Sequence, residues 1–174
     1  VVELGMNHPG EIGYLAQIAG PTVALVNNAQ REHQEFMATV EAVALENGSA
    51  FAALAPGGVP VYPVNEEFTA LWAGLAGSRA SMTFGDHASA DICLAGSEWK
   101  QGHWQVGVTT PAGPVAYDLH IAGRHNVRNS LAAVACALVA GAPLATIAQG
   151  LQSFEPVKCR STALRLQLAV PGLP

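Results

Sequence analysis

Short apolar runs alternate with stretches of helical length over the first half of the chain. The runs have the lengths and flanking turn residues of buried strands, and they are Val1–Leu4, Thr22–Val26, Phe51–Ala55 and Val59–Pro63. Helices are expected at Glu11–Ala19, at Gln34–Glu46, and from an Asn65 N-cap to Ala76. Because strands that alternate with helices form parallel sheets, we predict an α/β fold, mainly a parallel sheet flanked by helices.

The pattern changes between Ala80 and Leu119, where no helical stretch separates the strands. Four β-prone segments follow one another across glycine-containing turns, namely Ser81–Phe84, Asp91–Trp99, Trp104–Thr110 and Pro114–Leu119. Such a succession predicts a small antiparallel meander. Helical patterns return over Asn126–Val139 and Leu144–Leu151, and Ala163–Ala169 is a further strand candidate.

Composition and charge narrow the classes of function. The 174 residues are 50% hydrophobic and 12% charged, which is typical of one compact domain. The net charge of −5 argues against nucleic acid and anionic membranes as partners. The apolar stretch Ser130–Ala148 is interrupted by Gly141 and Pro143, so we expect no membrane span. Three widely spaced cysteines without a C-x-x-C pair favour a reducing, cytoplasmic setting.

Polar loops follow the first two predicted strands. Glu3 lies at the end of the first strand, and His33 lies in the loop after the second. Ligands bind at the carboxyl ends of strands in open α/β sheets, so these loops are candidates for a shared crevice. Glu3 can hold Mg²⁺ together with water and phosphate oxygens, or it can cap the following helix. His33 can be a metal ligand, a general base or a histidine that neighbouring groups satisfy.

A third polar segment, residues 123–129, leads into an alanine-rich helix. Asn126 and Asn129 are three positions apart and therefore share one helix face. Two carboxamides on one face can donate to and accept from the edge of a purine. Capping of the helix explains Asn126 but not Asn129, and both the capping and the purine-binding interpretations remain open.

Together these three segments resemble the Mur ligase family over essentially the whole chain. Residues 3–12, E-L-G-M-N-H-P-G-E-I, are similar to the strand and loop that follow the phosphate-loop unit in the members that use D-alanyl-D-alanine. Asn27-Asn28 with Glu32-His33 fits the pattern N-x-x-x-[DE]-H. Residues 123–133 fit G-x-x-N-x-x-N-x-x-A-A. The three motifs occur in the family's order at plausible separations.

The resemblance implies an ATP-dependent ligase of peptidoglycan precursor synthesis. In such an enzyme a carboxylate of UDP-N-acetylmuramoyl-tripeptide is phosphorylated, and the amine of D-alanyl-D-alanine attacks the acyl phosphate. By this resemblance Glu3 and His33 are expected to bind Mg²⁺, and Asn126 and Asn129 are expected to hold the adenine of ATP. Arg160 is expected beside the nucleotide. These roles suit phosphoryl transfer, which depends on positioning and on neutralisation of charge.

Asn7 and His8 lie next to the proposed metal carboxylate, and we expect them to line the substrate cleft. The sequence contains no G-x-x-x-x-G-K-[ST] motif. Many family members carry a lysine on the helix that follows the His33 loop, but residues Glu41–Ala50 contain none. We therefore expect residues 1–155 to be a central domain without its phosphate-loop unit, and residues 156–174 to be a hinge and the start of a further domain. We expect such a chain to be inactive by itself. The alternative is a non-catalytic binding or self-association module derived from the ligase fold.

Self-association follows from the expected loss of a central strand. A parallel sheet without that strand exposes backbone N–H and C=O groups and apolar faces. We expect copies of the chain to associate by exchange of a strand or segment. Sedimentation velocity at rising concentration should show species larger than a monomer, and a strict monomer at high concentration would contradict this expectation.

Overall fold

The structure is a computed structural model that describes residues 1–30 and 39–155. Its α-helices are α1 (Glu11–Ala19), α2 (Val40–Gly48), α3 (Thr69–Ala76), α4 (Arg124–Val139) and α5 (Leu144–Gln152). A 3-10 helix, Ser49–Ala53, follows α2 directly. The strands are β1 (Val23–Leu25), β2 (Val59–Pro63), β3 (Met82–Gly85), β4 (Ile92–Lys100), β5 (His103–Thr110) and β6 (Gly113–Leu119).

The strands form one six-stranded sheet in sequence order, from β1 to β6. β1 to β4 are parallel, with Val23 opposite Val59 and Val61 opposite Met82. β4, β5 and β6 are antiparallel, and Gln101 and Gly102 form the tight turn between β4 and β5 with positive φ angles of 51° and 88°. The predicted fold class, a mainly parallel α/β sheet with a small antiparallel meander, is therefore confirmed.

Helices cover both faces of the sheet, and each face has its own hydrophobic core. Val61 and Tyr62 are neighbours in β2, so their side chains point to opposite faces and enter different cores. The core with Tyr62 is filled by α1, α2, the 3-10 helix and α3. The core with Val61 is filled by α4 and α5, and α4 contacts every strand from β1 to β5. None of the helices described is long and apolar enough to cross a membrane.

The strand predicted at Phe51–Ala55 is wrong, because these residues belong largely to the 3-10 helix Ser49–Ala53. Ala50, Phe51 and Leu54 are all buried, and Phe51 packs against Tyr62 with ring centroids 6.1 Å apart. A short apolar run is compatible with either a buried strand or a buried helical turn. The 3-10 helix forms because Ser49 directly follows Gly48, the last residue of α2, so the helical course of the backbone continues.

The strand predicted at Val1–Leu4 is also wrong, since these residues are irregular and form no ladder with β1. Val1 and Val2 are exposed, whereas Leu4 packs against the core of α1 and α2. A β-strand needs a neighbouring strand to pair its backbone groups. Among the described residues, β1 pairs only with β2, and residues 1–4 form no ladder with either strand.

Helix boundaries differ from the prediction in α2 and α3. α2 begins at Val40, where Thr39 Oγ1 accepts a hydrogen bond from Ala42 N at 3.1 Å, and residues 34–38 of the predicted helix lie outside the described residues. α3 begins at Thr69, and the predicted N-cap Asn65 has a φ of 58° in the preceding turn. Thr69 Oγ1 instead accepts from Glu66 N at 3.0 Å, and this hydrogen bond organises that turn.

The meander begins one strand later than predicted. β3 was expected within it, but β3 is parallel to both of its neighbours. The helix α3 connects β2 to β3, so these two strands run in the same direction. The link of residues 86–91 is short, yet the chain enters β4 in the same direction as β3. Asp91 stabilises that link, since its Oδ2 accepts from Thr83 N at 2.8 Å. The candidate strand Ala163–Ala169 lies outside the described residues.

A buried hydrogen bond joins β6 to α4. The hydroxyl of Tyr117 lies 2.7 Å from Ser130 Oγ, and Ser130 Oγ donates to Val127 O at 2.6 Å. Tyr117 and Ser130 are each 4% exposed. The proton of Ser130 is used on Val127, so the phenol of Tyr117 is the donor to Ser130. Burial raises the pKa of Tyr117 to about 12, against an ordinary value of 10.

Substitution Tyr117→Phe should cost about 1 kcal/mol of stability at pH 7, because the hydrogen bond is lost. Between pH 10 and pH 12 the unfolded chain releases the phenol proton before the folded chain does, so the parent loses stability as the pH rises. At pH 11 this loss is about 1 kcal/mol, and the variant does not suffer it. Urea unfolding at both pH values measures the difference. Tyr14→Phe, at an exposed tyrosine, is the control; equal pH dependence in all three proteins would contradict the prediction.

Candidate functional site

A cleft lies at the edge of the sheet where the parallel strands end. Its volume is about 440 Å³, which is within the range of small-molecule sites. Asn27 follows β1, Glu66 follows β2 and Asp86 follows β3, and all three line the cleft. The first turns of α4 form the opposite wall with Arg124, His125, Arg128 and Asn129. The cleft therefore occupies the position at which open α/β sheets bind ligands.

A glycine sets the start of α4. Gly123 has a φ of 95°, and a Cβ atom built there would lie 2.6 Å from Cε1 of the His125 ring. A side chain at this position would therefore both strain the backbone and displace His125 from the wall of the cleft. Asn126 N donates to Gly123 O at 3.0 Å and closes the first turn.

Three asparagines form a chain of hydrogen bonds across the cleft. Asn126 Nδ2 donates to Ala122 O at 2.7 Å, and Asn129 Nδ2 donates to Asn126 Oδ1 at 3.3 Å. Asn27 Nδ2 donates to Asn129 Oδ1 at 2.9 Å, which links the segment after β1 to α4. The predicted pair Asn126 and Asn129 is thus in direct contact, and Asn129 is exposed on the cleft whereas Asn126 is half-buried. The side chain of Asn126 does not cap α4.

A salt bridge forms a second link between α4 and the sheet edge. Arg128 Nη2 pairs with Glu66 Oε1, and both side chains are partly exposed. An exposed pair of this kind contributes at most about 1 kcal/mol to stability, so its main effect is on geometry. Within the described part of the chain, Arg128 Nε and Asn27 Oδ1 are buried without a hydrogen-bond partner. Both atoms belong to residues that line the cleft.

The loop with Glu3, Asn7 and His8 is exposed and does not line the cleft as far as the described residues define it. Glu11 organises this loop, because its Oε2 accepts from the backbone N–H groups of Asn7 and His8. These two bonds, that of Asn7 first, lower the pKa of the Glu11 carboxyl. His8 Nδ1 also lies 3.3 Å from Glu11 Oε1. His33 and Arg160 lie outside the described residues.

A buried carboxylate that the sequence analysis did not single out holds the same loop to α2. Glu46 is 8% exposed, and its two oxygens accept from Gly10 N and Ile12 N, each at 2.9 Å. These N–H groups lie at the start of α1, where the helix dipole favours a negative charge. The next residue, Asn47, donates to Asn28 O at 3.2 Å. The sequence did carry a signal for this role. Glu46 lies three positions after Val43 and four before Ala50, so it shares their helix face.

The described residues hold few clusters of metal-ligating side chains. No group of three or more His, Cys, Asp or Glu side chains suited to a metal occurs within residues 1–30 and 39–155. Mg²⁺ commonly takes one or two carboxylates and completes its shell with water and phosphate oxygens. Glu3 is exposed and offers one carboxylate, which suits a Mg²⁺ ion that also has water and phosphate oxygens as ligands.

Comparison with known proteins relates this geometry to a family. The family model described as the Mur ligase middle domain matches residues 1–137. The chain belongs to the Mur ligase family. A ligase from Escherichia coli K12, UDP-N-acetylmuramoyl-tripeptide--D-alanyl-D-alanine ligase, is 32% identical over 95% of this chain and 37% of its own length. The enzyme of the same name from Haemophilus influenzae is 30% identical over 92% of this chain and 34% of its length. This chain therefore spans little more than a third of the length of these relatives.

Solved structures of Mur ligases have the same fold. The crystal structure of MurF from Acinetobacter baumannii covers 97% of this chain with a TM-score of 0.90 and 32% identity, and 37% of that chain is matched. MurF from Thermotoga maritima in complex with ADP has a TM-score of 0.77 at 20% identity, which shows the fold alone; 89% of this chain and 35% of that chain are matched. The resemblance found in the sequence motifs is therefore confirmed at the level of the family.

Replacing Glu46 by alanine should destabilise the protein by about 1–3 kcal/mol, because two buried backbone N–H groups lose their acceptors. Glu41→Ala, at an exposed glutamate on the same helix, is the matched control and should change stability by less than about 0.5 kcal/mol. Urea unfolding of the three proteins measures the difference. Equal stabilities of the two variants would show that the Glu46 carboxylate does not hold α1.

Proposed function

We propose that this chain is the central, nucleotide-binding part of an ATP-dependent ligase that adds D-alanyl-D-alanine to UDP-N-acetylmuramoyl-tripeptide. The relatives from Escherichia coli and Haemophilus influenzae are named for this reaction. The observation that supports nucleotide binding most directly is the asparagine chain on the wall of the cleft, which leaves Asn129 exposed to a ligand. We further propose residues 1–155 as the central domain and residues 156–174 as a hinge, in a cytoplasmic protein.

The cleft suits the base of a nucleotide. Asn129 uses one N–H on Asn126 and one lone pair on Asn27, so a second N–H and a second lone pair remain for a ligand. Adenine presents a donor and an acceptor side by side on one edge and can pair with such a carboxamide. Asn126 accepts a hydrogen bond from Asn129 and so orients its carboxamide. Arg160 is proposed to lie beside the nucleotide.

Glu3 and His33 are proposed to hold Mg²⁺ in the complex with nucleotide. ATP would supply the phosphoryl group that activates the substrate carboxylate, and Mg²⁺ would neutralise its charge. The loop with Asn7 and His8 is proposed to contact the tripeptide substrate. Glu11 and Glu46 hold that loop through four backbone N–H groups, so its conformation exists before any substrate binds.

Self-association of this chain also stays a proposal. β1 has a partner strand on only one side within the described residues, and Leu25 on this strand is 41% exposed. Tyr14 and Ile18 are exposed one turn apart on α1. Unpaired strand edges with apolar neighbours favour pairing between copies. This association is compatible with nucleotide binding, because the cleft lies at the ends of the strands.

Asn129→Ala tests the nucleotide site. Isothermal titration with ADP and Mg²⁺ should show about tenfold weaker binding, because two hydrogen bonds to the base are lost. The melting temperature should fall by a few degrees at most, because Asn129 is exposed and the variant loses only its hydrogen bonds with Asn27 and Asn126. Gln149→Ala removes a carboxamide from an exposed position of α5 and is the control. Absence of ADP binding in the parent, or equal affinity in Asn129→Ala, would overturn the proposed nucleotide site.

A further inference from the structure

The direction of a carboxamide decides which purine it can read. Adenine presents an amino donor at position 6 beside a ring-nitrogen acceptor. Hypoxanthine presents an acceptor oxygen at position 6 beside a protonated ring nitrogen, so its Watson–Crick pattern is reversed. An asparagine pairs with one of these edges in one orientation and with the other edge only after its oxygen and nitrogen exchange places.

The direction of the asparagine chain originates at a backbone carbonyl, which can only accept. Ala122 O accepts from Asn126 Nδ2 at 2.7 Å, so Asn126 must turn its Oδ1 toward Asn129. Asn129 must then present Nδ2 to Asn126 and turn its Oδ1 toward β1. Just after β1, Asn27 Nδ2 donates to this oxygen at 2.9 Å. The Asn129 carboxamide is therefore held from both sides, by the acceptor oxygen of Asn126 and by the donor nitrogen of Asn27.

Asn27 is the last link, and its orientation has a cost. Its Nδ2 is used on Asn129, while its own Oδ1 is buried without a partner in the part of the chain that the structure describes. A buried unpaired acceptor is unfavourable by about 1–3 kcal/mol. The opposite orientation of Asn27 would place its oxygen against Asn129 Oδ1, so that two acceptors would face each other. The network thus retains the donor toward Asn129 although an acceptor remains unpaired.

We propose that Asn27 is a specificity-determining residue, which locks the Asn129 carboxamide in the direction that accepts a 6-aminopurine and disfavours a 6-oxopurine. This inference rests on the proposed function, because it concerns the base of the bound nucleotide. The free lone pair of Asn129 Oδ1 receives the amino group, and the free N–H of Asn129 Nδ2 donates to the neighbouring ring nitrogen. With a 6-oxopurine, acceptor faces acceptor and donor faces donor.

The test compares ADP with inosine diphosphate, which carry the same phosphates and ribose and differ at position 6 and in protonation of the ring. The parent should bind ADP about tenfold more tightly than inosine diphosphate. Asn27→Asp leaves only acceptors opposite Asn129 Oδ1, so the carboxamide is driven to turn and loses its donor to Asn126. The ratio of the two Kd values should fall to about one. Gln149→Glu makes the same amide-to-carboxylate change at an exposed residue of α5 outside the cleft and should keep the parent ratio.

A measurement without ligand keeps the test independent of affinity. In ¹⁵N-labelled parent protein, the side-chain NH₂ of Asn129 should show nuclear Overhauser contacts to Asn126, and in Asn27→Asp these should move to residue 27. Unchanged contacts, or an unchanged Kd ratio in Asn27→Asp, would overturn the role of Asn27 while the nucleotide site stands. Equal binding of both nucleotides by the parent would overturn the selectivity. Binding of neither would overturn the proposed function and this inference together.

Discussion

The packing of α4 across the parallel strands is the constraint on which the site depends. Val127, Leu131 and Val134 are almost completely buried on the face of α4 that fills the core over β2 to β5. The hydrogen bond between Tyr117 and Ser130 adds a polar contact inside that core. Because the apolar face sets the rotation of the helix, the polar face of its first turns projects over the carboxyl ends of the strands. Because protein interiors are close-packed, α4 cannot rotate about its own axis without losing side-chain contacts.

This arrangement joins side chains that are far apart in sequence. Asn27 and Asn129 are 102 positions apart and are connected by a hydrogen bond. Glu66 pairs with Arg128 from the end of a different strand. On the other face, Glu46 connects α2 to the start of α1 through two backbone N–H groups. The first two cases fasten segments that follow strands to α4, and the third fastens the loop before α1 to α2, so a ligand meets groups whose orientations are already determined.

Local sequence signals predicted much of the fold. The helix Glu11–Ala19 and the strand Val59–Pro63 have the predicted bounds, since glycine and proline mark their ends and their apolar positions have the right period. The segment Phe51–Ala55 was misassigned because five apolar residues fit a buried turn as well as a strand. Val1–Leu4 was misassigned because strand formation depends on a partner that a local pattern cannot supply. Glu46 was missed because its partners are backbone N–H groups, which nearly every residue type supplies, so its helical spacing alone did not indicate them.

By itself, the sequence determined the alternation of strands and helices, the α/β class, and the three motifs that indicate the Mur ligase family. It also determined that Asn126 and Asn129 share a helix face, because that follows from the helical repeat alone. Only the tertiary structure decided that Asn27 completes their hydrogen-bond chain and that the chain has one direction. The physical reason is that this direction originates at the Ala122 carbonyl and passes between elements from opposite ends of the chain. Contacts of that range arise from packing of the sheet and α4, and no local pattern encodes them.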